Sequence, residues 1–326
     1  MKVLGMGNAL VDIITTLEND DLLKSFGLPK GSMTLVDSET SNFINIETAN
    51  LKKQKASGGS AANTIHGLAH LGMETGFVGM VGNDDLGKFF YKDMKTKNIN
   101  PILFKSVLDT GRAVALISKD SERTFATYLG AAMELSVEDL NSNIFEGYGY
   151  LYLEGYLVQD HQLVEKALKL AKMSGLKTCI DMASFNIVDD HRDFFQEIIR
   201  KDIDILFANN QEAESLSGEK PEAAVELLGK QTGIAVVKTG AEGSLVYANG
   251  ETTRIAARPS KPVDTTGAGD MYASGFLFGL INGCDIETCG NIGALVAGRV
   301  IEVYGAKMDE FVWEKIRREI KAMLEG

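Results

Sequence analysis

From about residue 147 onward the chain alternates between β-rich runs and amphipathic stretches, and this alternation restricts it to one broad architecture. Tyr150–Glu154, Lys177–Asp181, Ile205–Ala208, Ile234–Thr239 and Ser244–Tyr247 read as strands. Between them Gln162–Ser174, Phe194–Lys201, Glu212–Ser217 and Pro221–Thr232 read as helices. Strands separated by helices pair in parallel through crossovers, and the helices cover both faces of the sheet. The expected fold class is therefore α/β, an αβα sandwich around a mostly parallel sheet.

The N-terminal half is less regular. Lys2–Met6 and Gly76–Val81 read as strands, and Gly87–Asn98 as a helix. Ala113–Ser118 and Thr124–Leu129 flank the charged segment Lys119–Arg123, which predicts a hairpin. With Thr15–Leu17 and Met33–Val36 these runs predict a small β-sheet apart from the main body. The expected organisation is one domain over residues 1–326, the small sheet being drawn from segments roughly 12–40 and 100–130.

Charge and cysteine usage narrow the function classes. A net charge of −12 argues against a nucleic-acid surface or an anionic membrane as partner. It does not argue against a phosphorylated ligand, because helix N-termini bind phosphate without bulk positive charge. Cys179, Cys284 and Cys289 are scattered and odd in number, which suits reduced thiols and a cytoplasmic location. The apolar run Met1–Ile14 is broken by Asn8 and Asp12 and is too short to span a bilayer.

Four stretches carry chemistry. Val263-Asp264-Thr265-Thr266-Gly267-Ala268-Gly269-Asp270 reads as a strand end, a glycine turn and a helix start. The first turn of a helix has N–H groups without internal partners, so Gly267, Ala268 and Gly269 can cradle an anion. Asp270 at its rim can accept a proton from a hydroxyl. Gly58-Gly59-Ser60-Ala61-Ala62-Asn63 opens a second helix whose glycines let a ligand approach, and Asp12 leaves a strand near the N-terminus. Asn209-Asn210-Gln211-Glu212 and Lys238-Thr239-Gly240-Ala241-Glu242-Gly243 follow two strands, where open α/β sheets place their sites. Each stretch taken alone also suits a helix cap or a small-residue packing face. No P-loop is present, and the glycines at 5 and 7 fail as a dinucleotide fingerprint because Leu10 stands where a third glycine is needed.

Together the motifs resemble the ribokinase-like (PfkB) family of carbohydrate and nucleoside kinases over essentially the whole length. The resemblance rests on Asp264–Asp270 with Ala273, Ser274 and Gly275, on Gly58–Thr64, and on the Asn-x-x-Glu run Asn209–Glu212. It implies a Rossmann-like body with a small β lid, and an ATP-dependent kinase phosphorylating a hydroxymethyl group of a small sugar. The alternatives are an adenosine kinase and a non-catalytic ligand sensor on the same fold. It further implies Asp270 as general base, with Asp12, Gly58, Gly59, Asn63 and Glu154 holding acceptor hydroxyls. Asn209 and Glu212 would position Mg²⁺ through water, and Lys238, Thr239, Gly240, Gly243 and Thr266 would line the nucleotide. Arg123 would lie near the transferring phosphate. Asp264, Thr266 and Gly305 would surround a monovalent cation such as K⁺, unless the ammonium of Lys307 replaces it. An exposed edge of the small sheet would suit pairing with a second copy.

Overall fold

The computed structural model describes residues 1–120 and 122–325, so Ser121 in the turn of the expected hairpin lies outside the described residues. In chain order the strands are β1 (Val3–Met6), β2 (Leu10–Thr16), β3 (Met33–Leu35), β4 (Lys53–Gly58), β5 (Thr75–Gly82), β6 (Ile99–Ser106) and β7 (Gly111–Ile117). They continue as β8 (Arg123–Tyr128), β9 (Tyr150–Glu154), β10 (Lys177–Asp181), β11 (Ile205–Asn209), β12 (Ile234–Lys238), β13 (Ser244–Ala248) and β14 (Glu251–Ile255). Among the described residues they form two sheets, one ordered β14-β13-β12-β11-β10-β9-β1-β5-β6 and a smaller one ordered β3-β8-β7-β2-β4.

The large sheet is parallel from β6 to β12 and turns antiparallel only at β13 and β14. Its two-residue periodicity sorts side chains to opposite faces. Leu151 and Leu153 of β9, Leu206 and Ala208 of β11, and Ala235 and Val237 of β12 pack into one core. Tyr150 and Tyr152, Ile205 and Phe207, and Val236 pack into the other. Because both faces are covered, these strands read as continuous apolar runs.

Three features depart from the sequence expectations. β4 (Lys-Gln-Lys-Ala-Ser-Gly) has a polar, largely exposed N-terminal half and lacks the β-branched and aromatic residues that mark strands, yet it pairs antiparallel with β2. β14 closes a hairpin with β13 through Asn249 and Gly250, both left-handed, as a tight two-residue turn requires. Residues 100–106, expected in the small sheet, lie in β6 at the edge of the large one, the position in a sheet where a proline such as Pro101 is tolerated. The expected hairpin of β7 and β8 is antiparallel, and β3 adds to β8 in parallel. Among the described residues no helix is long and apolar enough to cross a membrane.

Candidate active site

Two helix starts meet at the mouth of the large sheet. The helix Ser60–His70 follows Gly59, whose φ of 97° and close approach to the Asn8 carbonyl exclude a side chain. The helix Ala268–Ile281 follows Gly267, whose φ is 75° and where an added Cβ would come within 2.5 Å of the Ala306 methyl. The helices touch along small residues, Gly67 lying against Ser274. This packing sets Asp270 against the first helix. Its Oδ1 accepts from Ser60 Oγ at 2.7 Å and its Oδ2 from Asn63 Nδ2 at 3.0 Å. Thr64 Oγ1 donates to the Asp270 carbonyl at 3.2 Å.

Burial raises the Asp270 carboxyl to about 6, Asp181 adds to the rise, and the bonds from Ser60 and Asn63 oppose it. The group is thus ionised at neutral pH while remaining a stronger base than a surface carboxylate. The amide of Ala268 is already used, donating to the Thr265 carbonyl at 3.2 Å. Among the described residues no backbone carbonyl accepts from the amides of Gly267, Gly269 and Asp270, so these are the free donors of the turn.

On the small-sheet side the Asp12 carboxylate lies over Gly58, so closely that no Cβ fits there. Burial raises Asp12 to about 6, Lys307 opposes the rise and Asp270 adds to it. Asn63 Oδ1 and Lys307 Nζ are buried without hydrogen-bond partners. Glu154, expected to hold a ligand hydroxyl, is instead only 2% exposed. It accepts from Asn8 Nδ2 at 2.9 Å and from the Ala61 amide at 3.0 Å. It fixes the start of the helix Ser60–His70 from behind, and burial pushes it up to about 7.

Across Asp270 the other flank is built from strand ends. Lys238 Nζ pairs with Asp181 Oδ2 at 2.7 Å and stands 3.0 Å from where a Cβ on Gly269 would be. Burial would lower the ammonium, but Asp181 and Glu212 outweigh it and hold it above its ordinary value. Asn209 and Glu212 form a reciprocal helix cap. Glu212 takes the Asn209 amide and side-chain amide, each at 2.7 Å, and its own N–H returns to Asn209 Oδ1 at 2.9 Å. Both Glu212 oxygens are therefore engaged, and burial raises the group to about 7. Among the described residues no group of three or more His, Cys, Asp or Glu is placed to hold a metal ion. In the loop after β12, the Thr239 amide donates to the Gly243 carbonyl at 2.8 Å. Gly240 and Gly243 are left-handed, and a side chain on Gly243 would collide with the Ile255 carbonyl.

The residues expected around a monovalent cation are engaged with one another. Asp264 accepts from the Thr266 amide at 3.1 Å, Thr266 Oγ1 at 2.8 Å and the Gly305 amide at 2.6 Å. It also forms a buried ion pair with Arg123, whose guanidinium lies over the Tyr304 ring. The positive charge in this nest comes from Arg123 and not from Lys307, which faces Asp12, Asp93 and Asp270. Potassium does not fit a carboxylate already holding a guanidinium and three other donors. Arg123, expected beside a phosphate, instead ties β8 to the glycine turn.

Sequence reasoning left out Ser60, Asn8 and Asp181. Ser60 stood inside a recognised motif, and Asp181 ends a strand at the sheet's ligand-bearing edge, so position offered a signal for both. Asn8 offered none, since its role depends on a partner 146 residues away.

The chain resembles known proteins along most of its length. The family model described as pfkB family carbohydrate kinase matches residues 35–310. A 5-dehydro-2-deoxygluconokinase of Listeria innocua is 30% identical over 274 residues, covering 76% of this chain and 82% of that protein. A structure described as a probable sugar kinase of Rhizobium etli superposes with a TM-score of 0.86 at 33% identity, covering 98% of each chain. The adenosine kinase of Sinorhizobium meliloti superposes with a TM-score of 0.86 at 34% identity, covering 98% of this chain and 99% of its own. Matched by that family model over residues 35–310 and superposing on these structures along its length, the chain belongs to the pfkB family of carbohydrate kinases and is a phosphotransferase with an alcohol group as acceptor.

Proposed function

We propose that the protein transfers the γ-phosphoryl group of ATP to a hydroxymethyl oxygen of a small sugar. The reading is carried by Asp270, whose carboxylate is oriented by Ser60 and Asn63 at the mouth of a helix with free amides. Asp270 takes the proton of the acceptor hydroxyl as that oxygen attacks phosphorus. The amides of Gly267, Gly269 and Asp270 stabilise charge on the phosphoryl oxygens, with Lys238 adding its charge beside Gly269. Asp12 and Asn63 Oδ1 accept from other acceptor hydroxyls and set the geometry of attack. Asn209 and Glu212 lie on the strand-end flank where Mg²⁺ bound to the nucleotide phosphates would supply counter-charge, any contact from them passing through water. The small sheet acts as a lid that excludes water.

Three relatives frame the acceptor. The names sugar kinase and 5-dehydro-2-deoxygluconokinase favour a polyhydroxylated carbon chain, whereas the 34% identity to the Sinorhizobium meliloti enzyme favours adenosine as the second reading. ATP consumption measured against a panel of sugars, sugar acids and nucleosides separates them. Turnover with a sugar or sugar acid supports the first reading; turnover with adenosine alone replaces it with the second. A protein that binds one of these ligands without consuming ATP is a sensor, and the proposal fails. The edge strand β3 exposes Met33 and Leu35 and suits pairing with a second copy, which light scattering tests.

A further inference from the structure

Beyond the transfer centre two ligand-type nitrogens face each other at close range. His161 opens the helix His161–Met173, and His191 lies in the turn before the helix Arg192–Asp202. His161 Nε2 stands 3.0 Å from His191 Nδ1, with the two rings at 76° to each other. His161 is also stacked flat on Phe194, the centroids 3.9 Å apart and the planes within 4°. His161 is exposed and His191 partly so, and water therefore reaches the pair. The two residues bridge the segments that leave the neighbouring strands β9 and β10, whose ends carry Glu154 and Asp181.

Two chemistries suit such a pair. A hydrogen bond between the rings needs one nitrogen protonated and the other bare. A borderline-soft cation needs both bare, and imidazole is among its usual ligands. Two imidazoles on a tetrahedral ion, with bonds of about 2.1 Å, have their nitrogens about 3.4 Å and their centroids about 5.3 Å apart. The centroids here are already 5.2 Å apart. The nitrogens need to part by about 0.4 Å, which rotation of the side chains supplies because the ring centres need not move. Phe194 meanwhile restrains His161 in place. The surroundings favour a cation. Asp160, Asp189, Asp190 and Asp193 stand within two residues of the histidines, against Arg192 as the one basic neighbour, which Asp189 already pairs at 2.9 Å. Mg²⁺, a hard cation that takes oxygen, does not suit two imidazole nitrogens.

We propose that His161 and His191 form a two-histidine site for an exchangeable divalent transition-metal ion such as Zn²⁺ or Ni²⁺, with water completing the shell. The site stands apart from the phosphoryl-transfer centre and does not depend on which alcohol is the acceptor.

Titration calorimetry with ZnCl₂ on the whole, tag-free protein tests it. One ion should bind per chain, and excess MgCl₂ should not displace it. His161→Gln and His191→Gln should each weaken binding by roughly tenfold or more, since losing even a group that only supports a metal ligand costs about that much. Their metal-free melting temperatures should match the parent protein. Proton NMR of the unaltered protein with substoichiometric Co²⁺ should broaden the ring signals of His161 and His191 first and spare His66 and His70. Absence of Zn²⁺ binding, or binding unchanged in both variants, overturns the site and leaves a hydrogen-bonded pair. Broadening that begins at His66 or His70, or at no histidine because a cysteine takes the ion, overturns it equally. Displacement of Zn²⁺ by Mg²⁺ overturns the assignment to a transition metal.

Discussion

The two flanks of Asp270 are built on opposite terms. On the strand-end flank every charged group has a protein partner: Lys238 is paired with Asp181, and Glu212 is closed on Asn209. On the small-sheet flank Asn63 Oδ1 and Lys307 Nζ are buried without partners, and Asp12 is held at about 6 by burial. A group already satisfied is a frame whose removal damages the fold; a group left unsatisfied is waiting for a ligand whose hydrogen bonds complete it. In the proposed reaction the first flank positions the transferred group and the second recognises the acceptor.

The largest effect tests the point where the flanks meet. Asp270→Asn should cut kcat by about two to four decades through loss of general-base catalysis, with an unchanged melting profile. Near-normal turnover would remove the base from the proposal.

The contrast itself is tested by a pair of variants read in urea denaturation. Asp181→Asn strands the buried Lys238 ammonium and should cost about 3–5 kcal/mol of stability. Asp12→Asn removes a carboxylate that burial already disfavours; it should leave stability nearly intact and raise KM for the acceptor. Equal destabilisation by both would erase the distinction between frame and recognition group.

A pH series sharpens it further. Asp270 must be ionised to act, so kcat/KM should rise with pH through an acid limb near 6. The stability contribution runs the other way. Carboxyls raised above their unfolded values, Asp12 and Asp270 at about 6 each, favour the folded state fully below the ordinary carboxylate range and lose that contribution as pH rises through 6. Ser60→Ala removes a bond that lowers Asp270 and should move the acid limb to higher pH. The smallest effect concerns Arg123. Exchanging K⁺ for a bulky organic cation should leave wild-type rates unchanged, whereas Arg123→Ala, which frees Asp264, should make the rate respond to K⁺.

Much of the fold was open to sequence reading because its causes are local. Strands covered on both faces read as apolar runs, as Ile205–Ala208 does, and the helices between them carry their own periodicity. β4 was not legible: its sequence lacks strand propensity, and its pairing with β2 comes from across the small sheet. In the site, Asp270, Asn63, Asp12 and the glycine turn were legible because a backbone that must approach a ligand needs glycine in any chain. Asn209 and Glu212 were legible as a motif but not as a closed cap, and Glu154 was placed at the right strand end without its burial behind Asn8.

By itself the sequence determined the alternation of strands and helices from about residue 147 onward and which turns stay free of side chains, since both depend on neighbours a few residues apart. Only the tertiary structure decided which charges meet. Asp264 finds Arg123 across 141 residues and Asp270 finds Ser60 across 210. Electrostatic partnership depends on distance in space and on burial, and neither is written in the local pattern of a chain.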